Sequence, residues 1–228
     1  MSFSSTPSEG GCSRLRARFA IDGQALDAIS PLTAVVRPAY GRLAKHQGIN
    51  QASSHEPVTA HGWQRVLVPS SIRLSTLHVV LLQSMGWDGG RLHEFEFADA
   101  RYGIRDLDWP DDLLIDESRV TLNKALGGGV VFTWIYDFGD HWTHKIKVER
   151  VDVLPAALKL QSPMCMAGAR ACPPEDVGGP PGYEAFLQAI ADPNHPEHGD
   201  MTEWIGDSFD PAALNLQEVQ DRLNEIKL

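Results

Sequence analysis

The chain has 228 residues, 43% of them hydrophobic, and a formal net charge of -10 at neutral pH. That length suits one large domain, or one domain with an appendage. The acidic balance removes the simplest ground for nucleic-acid binding, no apolar run approaches the roughly 20 residues that span a bilayer, and the opening MSFSSTPSEGGCSRLRARF lacks the apolar core of a signal peptide.

A soluble, cytoplasmic protein with no membrane partner is therefore expected. Cys12, Cys165 and Cys172 are too few and too unevenly spaced for a disulfide framework. Residues 1–60 are rich in Ser, Gly and Ala, and their periodicity is weak. They read as a divergent, partly ordered N-terminal extension, with one strand or helix around Leu32 to Leu43. From Gly62 the pattern becomes regular, which places the domain at 61–228.

GWQRVLVP alternates, with Gln64, Val66 and Val68 on one face, and Pro69 stops it, so a strand is predicted. Ser71 is placed to cap a helix whose stripe is Leu74, Leu77, Leu81 and Met85, and Gly86 is placed to end it. RLHEFEF, VVFTWIYD and THKIKVERV alternate and predict three more strands. Val130, Phe132, Trp134 and Tyr136 share one face of the second of these, and His144, Ile146 and Val148 one face of the third. The short Gly-containing DFGDHW joins those two as a β-hairpin. ALGGGV and PPGY mark loops. Tyr183, Phe186, Leu187 and Ile190 follow helical spacing. A last helix is placed with Asp210 as N-cap, Pro211 as its first residue, and Leu216, Val219, Leu223 and Ile226 as its buried stripe. Late strands in a hairpin and helices gathered at the C-terminus favour an α+β fold, a mainly antiparallel sheet packed against helices.

Two dense stretches carry the candidate chemistry. In YDFGDHWTH, residues Asp137, Asp140 and His144 can converge on a cation or polarise a water. Asp and Gly are equally what a tight turn prefers, because Asp side chains accept from nearby backbone N–H groups. In CMAGARACPPEDVGGPPGY, Pro173 and Pro174 stiffen a loop in which Glu175 and Asp176 add acceptors. Cys165 and Cys172 stand farther apart than the two to four residues usual between paired zinc ligands. His93 shares a strand face with Phe95 and Phe97 while Glu94 points the other way. It reads as a core histidine with a backbone or carboxylate partner, or as a metal ligand completed by other strands. Phosphate-cradling, dinucleotide, zinc-protease and nucleophile-elbow motifs are missing.

WQRVLVP, LSTLHVVLLQSMGW, RLHEFEF, YDFGDHWTHKIKVE, ACPPEDVGGPPGYEAFL and FDP, in this order, resemble the plasmid pRiA4b ORF-3-like family, also labelled a TnpR-type passenger of insertion elements. The resemblance runs from Gly62 to the C-terminus. It implies an α+β fold and an association with plasmids and transposable elements, and it brings no established activity. No serine among arginines and no basic region supports a resolvase. The sixty preceding residues do not resemble the strand that usually opens the family. Either a divergent strand at Thr33 to Val36 takes that place, or the sheet keeps an open edge through which copies of the chain can pair.

Two functions follow. The first is a non-enzymatic interaction module of mobile elements. It binds a protein or peptide partner through Asp137, Phe138, Gly139, Asp140, Trp142, Pro173, Pro174, Glu175, Asp176 and Tyr183. The alternative is a metal-dependent hydrolase in which His93, Glu94, Asp137, Asp140, His144, Cys165 and Cys172 surround zinc or another divalent cation that activates water.

Overall fold

The computed structural model describes residues 31–38, 62–105, 111, 113–150, 160–206 and 209–228. Their strands are β1 (Pro31–Pro38), β2 (Trp63–Pro69), β3 (His93–Glu96), β4 (Arg101–Gly103), β5 (Leu114–Asp116), β6 (Val131–Tyr136), β7 (Trp142–Arg150) and β8 (Met164–Ala169). The helices are α1 (Leu74–Met85), α2 (Leu122–Leu126), α3 (Gly179–Ala191), α4 (His198–Ile205) and α5 (Leu216–Asn224). One eight-stranded sheet runs β5-β4-β3-β6-β7-β1-β2-β8. Every pairing is antiparallel except β4 with β5. The fold is α+β, with helices following the last strand.

Strand alternation decides which face is buried. Val66 and Val68 of β2, Phe95 of β3, Phe132, Trp134 and Tyr136 of β6, and Ile146 and Val148 of β7 are all buried. The apolar stripe of α1 (Leu74, Leu77, Leu81, Met85) packs in the same cluster, joined by Val219 and Leu223 of α5. Each such side chain taken fully from water contributes about 1.5–3 kcal/mol. The Thr33 to Val36 segment does form a strand, and not at an edge: β1 pairs with β2 on one side and with β7 on the other.

Several local expectations are corrected. Ser71 does not cap α1. Arg73 occupies the cap position without a side-chain bond, and the Leu74 N–H donates to the Val120 carbonyl at 2.9 Å, so a neighbouring segment satisfies the helix start. Gly86 ends α1 as expected, in the left-handed region at φ 78°. Asp210 closes a turn through the Ala212 N–H, and α5 starts later, its N–H groups at Gln217 and Glu218 donating to the Asn215 side chain. Leu216 is 40% exposed and lies off the buried stripe. PPGY is no loop: it lies in the first turn of α3, where prolines lack only an N–H that would go unpaired anyway. Val130 is exposed and precedes β6.

Candidate functional site

The hairpin expected at DFGDHW is present, and Tyr136 pairs with Trp142 at its base. Its tip is built by Asp137, which takes a left-handed φ of 53°. The Asp137 carboxylate accepts from the Gly139 N–H at 2.9 Å and the Asp140 N–H at 3.4 Å, and its own N–H donates to the Leu92 carbonyl at 2.9 Å. The turn chemistry read from the sequence is therefore realised. Phe138 is left outside, 49% exposed.

The CPPEDVGG segment lies directly against this tip. Gly179 approaches the Asp140 backbone so closely that a Cβ there would overlap the Asp140 carbonyl oxygen. Glu175 is the hub. Its carboxylate accepts from the Tyr136 hydroxyl at 2.5 Å, from the Asp88 N–H at 2.7 Å and from the Gly89 N–H at 3.3 Å. Burial and the Glu175 carboxylate together hold the Tyr136 phenol above its ordinary range. The exposed Arg91 guanidinium bridges the two segments, 2.7 Å from Asp176 and 3.6 Å from Asp137. Trp87 donates its indole N–H to the Pro173 carbonyl at 2.9 Å and lies with its ring 5.2 Å from that of Tyr136. The segments Trp87–His93, Tyr136–His144 and Pro173–Gly179 thus make one continuous rim.

Not every residue expected on that rim faces outward. Trp142 and Pro173 are buried, because the first is packed beside Trp87 and the second carries the carbonyl that Trp87 binds. Tyr183 is half-buried against Phe186, and burial pushes its hydroxyl up to about 12. Arg91 was not among the residues singled out. Its role depends on two partners more than forty positions away, and nothing in its local sequence signals that.

Beneath the rim lies a polar cluster in the core. His93 is 3% exposed, and its Nε2 is 2.9 Å from the carboxylate of Glu117, also 3% exposed, in the single turn Glu117–Arg119 before α2. The carboxylate partner expected of a core histidine is Glu117. The ring of His78, from α1, stacks on His93 at 3.4 Å and 4°. His144 packs 4.9 Å from Trp134, its cross-strand partner.

The seven residues considered as a cation set are not brought together. His93 is taken by Glu117; Glu94 pairs with Arg101 at 3.1 Å; Asp137 serves the turn and Arg91. Asp140 lies on the hairpin tip and His144 on β7. Cys172 accepts from the Gln64 side chain at 2.9 Å, and Cys165 is on β8 beside Val66. Among the described residues no group of three His, Cys, Asp or Glu side chains could hold a metal ion. Burial pushes the Cys172 thiol up to about 11 and raises that of Cys165, the reverse of what a nucleophilic thiol needs.

The histidines make stability depend on acid. Burial lowers His144 to about 3 against the opposing backbone of Trp134 and Trp142, and burial plus the neighbouring His93 lowers His78 to about 3. Both are neutral when folded, whereas the unfolded chain binds a proton at each near pH 6.5. Stability from these groups is therefore complete above pH 6.5 and is lost as pH falls toward 3. Each contributes a slope of up to about 1.4 kcal/mol per pH unit. Urea midpoints measured between pH 6.5 and 5, above the carboxylate range, should fall steadily, and less so in His144→Phe. A flat profile would contradict the neutral assignment.

Comparison with known proteins places the chain in a wider group. The model of the family described as plasmid pRiA4b ORF-3-like protein matches residues 56–218. The chain belongs to the plasmid pRiA4b ORF-3-like family. It is 43% identical over 166 residues to the uncharacterized protein y4hQ of Sinorhizobium fredii (strain NBRC 101917 / NGR234), a match covering 72% of this chain and 84% of that protein. It is also similar to the crystal structure of MM3350 from Methanosarcina mazei Go1, a protein of unknown function. The TM-score is 0.65 at 26% identity, over 83% of this chain and 98% of that one. The family match takes in all three rim segments and the His78–His93–Glu117 cluster. No helix among the described residues is long and apolar enough to cross a membrane.

Proposed function

We propose that this member of the plasmid pRiA4b ORF-3-like family is a non-enzymatic interaction module carried by mobile elements, and that the rim is its binding face for a protein or peptide partner. One observation carries the reading. Glu175 and Arg91 tie the YDFGDHW bend and the CPPEDVGG segment into a single stiff surface, and the side chains left exposed on it are Phe138, Leu92, Arg91, His141, Asp88 and Asp176. Exposed apolar residues on a pre-organised polar surface are what a binding face requires. The link to mobile elements rests on the family's description, which names a plasmid reading frame, and on the resemblance to passengers of insertion elements. The hydrolase alternative needs converging carboxylates and imidazoles, and Glu175, Asp137 and Asp176 are instead engaged with backbone N–H groups, a phenol and a guanidinium.

Site-specific photo-crosslinking in the native host tests this. A photoreactive residue at position 138 or 92 should yield one discrete crosslinked protein species, and the same residue at the exposed Lys147 on β7 should not. Equal labelling from all three positions would remove the assignment of the rim.

A further inference from the structure

We infer that the rim docks a flexible, positively charged segment that brings one apolar anchor residue; this deepens the reading of the rim as the binding face and rests on it. Phe138 and Leu92 are 49% and 51% exposed, and Asp137, next to Phe138 in the chain, donates its N–H to the Leu92 carbonyl. Each is a large apolar side chain exposed on a polar rim, which is where an anchor residue can be received.

Charge selects what surrounds that anchor. Within Trp87–His93, Tyr136–His144 and Pro173–Gly179 there are five carboxylates (Asp88, Asp137, Asp140, Glu175, Asp176), and Arg91 is the one Lys or Arg. The five do not contribute alike. Glu175 and Asp137 are occupied inside the rim, and Asp140 has its Oδ2 buried with no hydrogen-bond partner among the described residues. Asp88 is exposed and, among the described residues, is bound only through its backbone N–H, so its carboxylate is open to an incoming cation. Asp176 is exposed too, and Arg91 engages its Oδ1, leaving Oδ2 as an acceptor. Phosphate-bearing partners such as nucleic acid or anionic lipid are repelled by this surface, whereas Lys and Arg are attracted to it.

Stiffness favours a flexible occupant. The rim is fixed by Glu175, by the proline pair, and by the close approach of Gly179 to Asp140. It therefore loses little freedom on binding, and the interaction free energy is left to offset the ordering of an unstructured partner. Basic segments with few apolar residues are the chains that remain unstructured before they bind.

The test presents the full chain, immobilised, to a displayed library of short random peptides, and measures the selected peptides in solution. The inference expects Lys- or Arg-rich peptides with one large apolar residue, and binding that weakens as salt is raised from about 0.05 to about 0.5 M. Phe138→Ser should weaken them by about thirtyfold and Asp88→Lys by about tenfold. Both positions are exposed, and folding of each variant is checked by its urea midpoint. Selected peptides that lack basic residues but still need Phe138 overturn the partner class and leave the rim standing. Peptides indifferent to both substitutions overturn the rim as well. A library that yields no binder overturns the flexible occupant, and the photo-crosslinks from position 138 then decide whether the rim itself stands.

Discussion

Replacing Glu117 with Ala will lower the unfolding free energy by about 3 kcal/mol, the range expected when one partner of a buried polar pair is deleted. The size follows from what remains. His93 Nδ1 already lacks a partner among the described residues, so loss of the Glu117 carboxylate leaves a buried imidazole with no hydrogen bond among them. The ring cannot turn to water, because the stacked His78 face covers one side at 3.4 Å and Phe95 stands edge-on at 5.8 Å. Glu117→Gln keeps an acceptor and should cost about 1 kcal/mol. The double replacement Glu117→Leu with His93→Phe should recover most of the loss, since exchanging both members of a buried pair for apolar groups of similar volume is often neutral. Chemical denaturation of the wild type, Glu117→Leu, His93→Phe and the double variant gives the cycle, with Glu117→Ala and Glu117→Gln measured beside it. A Glu117→Ala loss under about 0.5 kcal/mol would mean that the pair does not matter to the core.

Gly179→Ala is expected to cost about 3–4 kcal/mol, combining a left-handed backbone forced on a residue with a Cβ and an overlap with a backbone carbonyl. Gly179 has φ 69°, and its missing Cβ is what lets Asp140 come so close. Gly178→Ala is the internal control. It has φ 89°, but the nearest atom to its added Cβ is the Gly182 Cα at 3.6 Å, an ordinary contact. It should show only the backbone penalty, about 1–2 kcal/mol. The overlap at Gly179 is between a Cβ, which has no freedom to rotate away, and the Asp140 main chain, so no side chain can swing away to relieve it. Equal urea midpoints for the two variants would show that the hairpin tip and the CPPEDVGG segment are not pressed together.

What could be read from the residues divides along physical lines. β2, α1, β6 and β7 were legible because their apolar periods are long enough to fix both the element and its buried face. Tyr136, His144 and Ile146 all face inward as their alternation requires. β4 and β5 have three residues each, too few for a period to declare itself. Capping misled twice: Ser71, Asp210 and Asn215 are all good cap residues, and residue type alone does not decide which is used. Val120 displaced the need for Ser71, and Asp210 went to a turn ahead of Asn215. At the site, the neighbouring of the two motif segments was anticipated, while the groups that fasten them were less so. Glu175 was read as a surface acceptor, yet it is the centre of the rim. Glu117 and Arg91 carried no local signal, because their meaning lies in partners far along the chain.

The position of β1 has a consequence for where this protein can be cut. The family match begins at residue 56, yet Pro31–Pro38 runs down the inside of the sheet, with Ala34 opposite Val66 on one flank and Val148 on the other. A fragment trimmed to the recognisable homology would lose an interior plank, and two rows of main-chain donors and acceptors would be stranded without mates. Such a piece would be two half-sheets with sticky inner borders, so the smallest unit able to fold begins upstream of the stretch by which the family is recognised.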